Sequence, residues 1–461
     1  MQIRHGLIFA ALSLWLAGAP AAFAVDASLA LRDPASDVRI TTLDNGLTVL
    51  TLEDHATPVA SFQMWVKAGS GDETRYTGIA HLFEHMMFRG SKHLGPEEHA
   101  RLVNARGGRL NAFTSRDVTV YFEDVTSESL PLVIDLEAER LAHLRIDQEN
   151  LDTEREVVLE ERRLRTEDSA NGRAFEALTA GAWIAHPYRW PVIGWKSDIE
   201  AVTLDACRHF FATYYAPNNI VLAIVGDFDT GEVLARVERR FGRLPPVSQV
   251  PRSPTVEPEQ RGERRSTVHF DLRSPILMAG WHAPPSGHAD AEALDVASQI
   301  LSGGRSSRLY RALVYESQKA LFAEGAYWEL KTAGLFYARA GVRPGASIDE
   351  VEALLFAEID RIQREGVRPE EVAKAATQLE VSLVTGLGTA HALASRIGRE
   401  MVTFGRIRPL DERIAAIRAV TVDDVQRVVR TYLTPEGRSV VHVVPPPPEP
   451  ELGADGQEDP S

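Results

Sequence analysis

Gly78-Ile-Ala-His81-Leu-Phe-Glu84-His85-Met-Met-Phe88 is the stretch from which the rest of the chain can be read. Ile79, Ala80, Leu82, Phe83, Met86, Met87 and Phe88 make it almost wholly apolar, so it is predicted to be a largely buried helix. His81 and His85 are four residues apart, and one helical face presents both imidazoles. Two neutral imidazoles at that spacing can hold one Zn2+. Glu84 sits on the flank of the same face, where it can reach a metal-activated water as general base without competing as a ligand. The order His-x-x-Glu-His inverts the commoner His-Glu-x-x-His zinc motif. Histidines and a glutamate in a buried helix need partners or a metal, which sets this pattern apart from two surface histidines.

A catalytic zinc usually takes three protein ligands and keeps one position open. The acidic stretch Leu151-Asp-Thr-Glu154-Arg-Glu156-Val-Val-Leu-Glu160-Glu161-Arg-Arg-Leu164-Arg165 offers the third. At helical periodicity Glu154, Val157, Val158, Glu161, Leu164 and Arg165 share one face, and Glu156 and Glu160 share the other. The valines and Leu164 mark the first face as inward. Glu154 and Glu161 are then inward carboxylates, expensive unless paired or metal-bound. Either one is a candidate ligand.

Strand signals surround this helix. Asn45-Gly46 between Ile40-Thr-Thr-Leu and Leu47-Thr-Val-Leu reads as a hairpin. Leu110 to Phe122 alternates and reads as a strand, Leu130 to Leu144 as a helix, and Ile220-Val-Leu-Ala-Ile-Val as a buried strand. Strand-like Ser274-Pro-Ile-Leu-Met-Ala-Gly-Trp281 and helical Ala291 to Leu301 repeat the order of the first strand and helix. That second helix carries Asp295, Ser298 and Gln299 and no His-x-x-Glu-His, so one zinc site per chain is expected. The expected fold is α+β: two homologous α/β-sandwich-like domains, each a mostly antiparallel sheet with helices packed on it. The zinc-binding domain spans 36–244 and the homologous domain without zinc 268–444. A Pro-rich linker, 245–267, joins them and could let them hinge. Residues 445–461, opening Pro445-Pro-Pro-Pro, read as a disordered tail.

The 461 residues carry a net charge of −15, with 50 Lys and Arg against 65 Asp and Glu. That balance argues against nucleic acid, which asks for a basic face. A single cysteine, Cys207, excludes an internal disulfide and a cysteine-based metal site. The N-terminus has Arg4, an apolar run from Gly6 to about Ala17, and Ala22-Phe-Ala24, the plan of a signal peptide over 1–24. The run is short for a membrane span, and no later stretch is long and apolar enough. The product is expected to be exported and soluble, in the periplasm if the source is Gram-negative.

His-x-x-Glu-His followed by Glu154 and, 76 residues after His85, by Glu161 resembles the pitrilysin (insulinase-like) family of inverted zinc peptidases, in the short two-domain type of the mitochondrial processing peptidases. His186-Pro-Tyr, Tyr214-Tyr-Ala-Pro-Asn-Asn and Gly304-Arg-Ser-Ser-Arg-Leu-Tyr310 extend the resemblance over nearly the whole chain. It implies that His81, His85 and Glu161 are the zinc ligands, Glu84 the base and Glu154 an outer carboxylate that orients the site. It also implies that Gly107-Gly-Arg-Leu-Asn-Ala-Phe-Thr114 is an edge strand that pairs with a peptide substrate, with Gly108, Leu110, Asn111, Ala112 and Phe113 as contact residues. Edge strands can recruit extended peptides in this way.

The resemblance breaks at one place. Many family members carry in the second domain an arginine and, seven residues later, a tyrosine that bind the substrate carbonyl. The matching segment, Arg311-Ala-Leu-Val314-Tyr-Glu-Ser-Gln-Lys-Ala-Leu321-Phe322, is read as one helix with Val314 and Leu321 at those positions. Tyr315 and Lys319 lie nearby in the wrong order. The expectation is therefore an exported zinc endopeptidase working as a heterodimer, its homologous partner supplying the Arg/Tyr pair. A homodimer would duplicate the deficit. The alternative is a peptide-binding or structural subunit with little activity alone.

Overall fold

A computed structural model of the chain describes residues 33–447. The segment read as a signal peptide and residues 448–461 of the tail lie outside them. The first half builds a six-stranded sheet from β1 (Arg39–Thr42), β2 (Thr48–Glu53), β3 (Val59–Val66), β4 (Arg109–Thr114), β5 (Thr119–Thr126) and β6 (Ile220–Gly226), in the order β1-β2-β6-β3-β5-β4. The second builds a five-stranded sheet from β7 (Arg264–His269), β8 (Ile276–Ala283), β9 (Ala320–Trp328), β10 (Gly334–Val342) and β11 (Arg438–Val444), in the order β7-β11-β8-β10-β9. Only β2 with β6 and β7 with β11 run parallel. The fold is the expected α+β pair of mostly antiparallel sheets.

Local chemistry explains the turns. Gly46, at φ +83°, turns β1 into β2, and the Asn45 side-chain amide donates to the carbonyls of Phe241 and Leu244. The stretch read as one strand from Leu110 to Phe122 is instead the β4–β5 hairpin. The Ser115 hydroxyl accepts from the amides of Asp117 and Val118, a side-chain turn that alternation does not reveal.

The central strands of each sheet are buried on both faces. Along β3, Phe62, Met64 and Val66 face the helices of their own half, and Trp65 faces away. Along β6, Ile220, Leu222 and Ile224 alternate with Val221, Ala223 and Val225 in the same way. A strand buried on both sides reads as a continuous apolar run. The covers of the far faces are exchanged between halves. Helix Ala390–Phe404, from the second half, lays Leu393, Ala394, Ile397 and Val402 on the first sheet. Helix Ala170–Ala182, from the first half, lays Ala174, Leu178 and Ala182 on the second. Each buried Leu, Ile or Val is worth about 1.5–3 kcal/mol. Gly398 lets the helix approach closely, since a Cβ there would lie 2.3 Å from Trp65 Nε1.

The segment read as a hinge is tied down. Arg252 donates to the Lys67 carbonyl and to Asp72 and Asn219. Glu257 accepts the amides of Ile184, Ala185 and His186, and Gln260 donates to the Arg438 carbonyl. Strand β7 begins at Arg264, inside the stretch read as linker. Prolines and charges here make a strap across both halves.

Under the first sheet lies a buried ionic cluster. Arg140 on helix Leu130–His143 donates to both oxygens of Glu137, at 2.9 and 2.5 Å. Glu123 of β5 and His99 of helix Glu98–Asn104 complete it, with His99 Nε2 3.3 Å from Glu123. Burial pushes the Glu137 carboxyl up to about 8 against the pull of Arg140, whose guanidinium lies 4.5 Å from the Tyr121 ring centre. Arg140→Met strands these carboxyls without a cation and is expected to cost about 3–5 kcal/mol in denaturant unfolding. The double variant with Glu137→Gln should recover part of it. A single-variant loss under about 1 kcal/mol, the scale of an exposed pair, would contradict this account.

Candidate metal centre and peptide cleft

The helix carrying the histidines runs from Ile79 to Met86. Its start is set by Gly78, at φ +86°, where any Cβ would meet the Ile193 carbonyl at 2.4 Å. Glu73, whose carboxyl burial holds well above its usual range, accepts the amides of Gly78 and Ala80 at 2.9 Å each and closes the first turn. The facing helix, Gln148–Arg162, begins at Asp147, which accepts the Asn150 amide.

Between these helices the side chains converge. Glu161 Oε2 lies 3.2 Å from His85 Nε2 and 3.8 Å from His81 Nε2. One donor atom from each of His81, His85 and Glu161 falls within 4.8 Å of the others. The buried Nδ1 of His81 has no hydrogen-bond partner. Burial and the neighbouring His85 lower the His81 imidazole to about 4, so it is neutral and keeps a lone pair. Burial also opposes a charge on His85, but hydrogen bonds to Glu154 and Glu161 outweigh it and raise this ring to about 9. A metal ion there would take the place of that proton. The donor set fits a zinc ion, with His81 Nε2 turned toward Glu161 Oε2 yet too far from it for a hydrogen bond.

Glu154 stands behind the group. Its Oε2 lies 3.1 Å from His85 Nδ1, and its other oxygen pairs with Arg89. A carboxylate on the far nitrogen of a ligating histidine fixes the ring's orientation and tautomer. Glu84 faces the cleft beside the cluster. Burial raises its carboxyl above the usual range, and Thr114 Oγ1 of β4 donates to it at 2.6 Å. Arg89 and Thr114 were not singled out in the sequence, because a partner 65 or 30 residues away leaves no local pattern.

Three residues on the face expected inward are exposed. Val157 is 42% and Leu164 57% exposed and the Arg165 side chain 76%, Val157 and Arg165 opening onto the cleft, whereas Val158 is buried. The inward face is Leu151, Glu154 and Val158, with half-buried Glu161 at the cleft. Beyond Arg162 the helix widens into a π-turn, Arg163–Glu167, which changes the phase of the face.

The cleft has a volume of about 900 Å³, and β4 forms one wall. β4 is an edge of its sheet, paired on one side with β5. Leu110, Asn111, Ala112 and Phe113 line the cleft. Gly108 lies just before the strand and is packed so that a Cβ would meet Val125 at 2.7 Å. Every residue lining the cleft falls between His81 and Ile193. The second half places Val314 in a π-helical segment, Tyr310–Glu316, and Leu321 on strand β9, so the single helix expected from Arg311 to Phe322 is not formed. Tyr315 is 70% exposed, Lys319 pairs with Glu350 at 2.7 Å, and neither lines the cleft.

Residues 48–195 match the family model described as Insulinase (Peptidase family M16), and residues 201–379 match that described as Peptidase M16 inactive domain. The chain belongs to peptidase family M16. It is 31% identical over 412 residues to a zinc protease of Streptomyces coelicolor, across 86% of this chain and 87% of that one. It is 27% identical over 414 residues to the "Probable mitochondrial-processing peptidase subunit beta" of Arabidopsis thaliana, across 87% of this chain and 77% of that one. The crystal structure of a protease from Helicobacter pylori superposes with a TM-score of 0.85 at 28% identity, covering 88% of this chain and 99% of that one. This M16 chain thus has the two-domain fold of a family that includes zinc peptidases. No helix among its described residues is long and apolar enough to cross a membrane.

Proposed function

We propose that the chain is an exported zinc endopeptidase acting on peptides or unfolded segments. The observation that carries this reading is the convergence of His81, His85 and Glu161 within 4.8 Å beside a half-buried, hydrogen-bonded Glu84. In this reading those three residues hold one zinc and Glu154 orients His85. The metal would supply Lewis acidity toward a scissile carbonyl and toward water. Glu84 accepts a proton from the attacking water and passes it to the leaving amine. One carboxyl can serve both roles, since the group that takes the proton as a base returns it as an acid. Thr114 keeps the carboxylate aimed into the cleft. The free edge of β4 pairs with the backbone of an extended peptide, with contacts at Gly108, Leu110, Asn111, Ala112 and Phe113, so affinity asks little of the peptide's sequence.

The partner reading follows from the lining of the cleft, which takes nothing from this chain's second half. A homologous subunit bearing an Arg/Tyr pair would close over it, and a second copy of this chain would repeat Val314 and Leu321. The same observation favours the second reading, a peptide-binding subunit with little turnover. One experiment separates them. The purified chain is assayed on an unfolded peptide alone, mixed with a homologous subunit that carries the pair, and after chelation, with size-exclusion chromatography of each sample. We expect low zinc-dependent activity alone and a marked rise in a co-eluting mixture. Peptide binding without hydrolysis in every sample would establish the second reading. Full activity alone, unchanged by the partner, would remove the heterodimer.

A further inference from the structure

The cleft lacks a second-half cation, yet it is not without one. Among the described residues that line it, the arginines are Arg89, Arg116 and Arg165. Arg89 is committed to Glu154 behind His85. Arg116 is buried, donates to the Tyr188 carbonyl at 3.1 Å, and stacks 4.4 Å from the Trp328 ring centre. Arg165 differs from both. Its side chain is 76% exposed, and its one recorded partner is Glu161 Oε1, at 2.7 Å. The guanidinium is the solvated end of this pair, the Glu161 side chain being 17% exposed, so water competes with the carboxylate for it.

Position singles out the same residue. Glu161 turns Oε2 toward the histidines and Oε1 toward Arg165, which places the guanidinium one carboxylate's width from the donor atoms. Arg165 also lies in the π-turn Arg163–Glu167, where the Asp168 amide reaches back to the Arg163 carbonyl at 2.7 Å. Such turns are costly in regular helices and recur at functional sites.

We propose that Arg165 is a catalytic residue of the lone chain: on peptide binding its guanidinium leaves Glu161 and donates hydrogen bonds to the scissile carbonyl oxygen as negative charge develops there. A metal held by Glu161 would draw on the same carboxylate charge and would leave Arg165 less tightly paired. The arginine gives the chain a modest oxyanion donor of its own, which a partner's pair supplements. This inference rests on the zinc-endopeptidase reading.

The test uses zinc-loaded full-length chain, wild type and with Arg165→Ala or Arg165→Lys. Calorimetry measures binding of a phosphinic peptide, whose tetrahedral oxyanion mimics the developing charge. A peptide of the same sequence is bound to Glu84→Gln chains with and without the Arg165 change, and zinc affinity is followed by chelator competition. Arg165→Ala is expected to weaken the phosphinic peptide and lower kcat by about 10²-fold each, the scale of one oxyanion donor. Ground-state peptide and zinc affinities should move less than about threefold, and lysine should restore part of the loss. Equal weakening of phosphinic and ordinary peptide, no weakening of either, or loss of zinc overturns the proposal. A wild-type chain that does not bind the phosphinic peptide in a zinc-dependent way instead overturns the endopeptidase reading, and the inference with it.

Discussion

His81→Ala and Glu161→Ala chains are expected to fold and to emerge from gel filtration without zinc, where the wild-type chain retains about one ion, the complement of a single three-ligand site. Each change leaves two protein donors. In His81→Ala the remaining pair is His85 Nε2 and Glu161 Oε2, 3.2 Å apart, which closes into a simple ion pair once the third donor is gone. Neither side chain holds the hydrophobic core together, since the helix Ile79–Met86 is anchored by Ile79, Leu82, Phe83 and Met86. Circular dichroism should therefore remain close to wild type. Elemental analysis decides the matter, and undiminished zinc in both variants would reject the assignment.

Glu84→Gln separates chemistry from metal binding. The substitution keeps the shape and still accepts the hydrogen bond from Thr114 through its amide oxygen. It touches no donor of the cluster. What disappears is a group able to take a proton and return it. The zinc-loaded variant should lose about 10²–10⁴-fold in turnover, the usual contribution of a general base, with little change in peptide affinity. A zinc-loaded Glu84→Gln chain with wild-type turnover would make Glu84 structural and move the base elsewhere.

The two variants probe a part of the molecule that was legible from local spacing. His81, Glu84 and His85 lie within one and a half turns of a single helix, so periodicity alone puts them together. Glu154 and Glu161 follow from the same rule on a second helix, and the distances place Glu154 behind His85 and Glu161 in front of it. The rule failed for Leu164, which is exposed in a π-turn that shifts the phase, and only in part for Val157, which is exposed where it lines the cleft. The β4–β5 hairpin was missed because one serine side chain makes the turn. Burial of β6 on both faces was visible as an unbroken apolar run. What covers its far face was not, because alternation says that a strand is covered and not by which segment.

That cover has a consequence for the order in which the molecule assembles. As the chain grows from its N-terminus, helix Ala170–Ala182 is complete well before any strand it packs against, the first of which starts at Arg264 and the last of which ends at Val444. The first sheet likewise waits for helix Ala390–Phe404. Contacts this remote in sequence slow folding, because long loops must close before the contacts reward them. A nascent first half therefore exposes two apolar faces until most of the second has followed, a state prone to association with other chains or to capture by chaperones. Cutting the strap between Pro245 and Glu263 would not release two autonomous domains. It would leave two fragments, each holding the cover of the other's sheet.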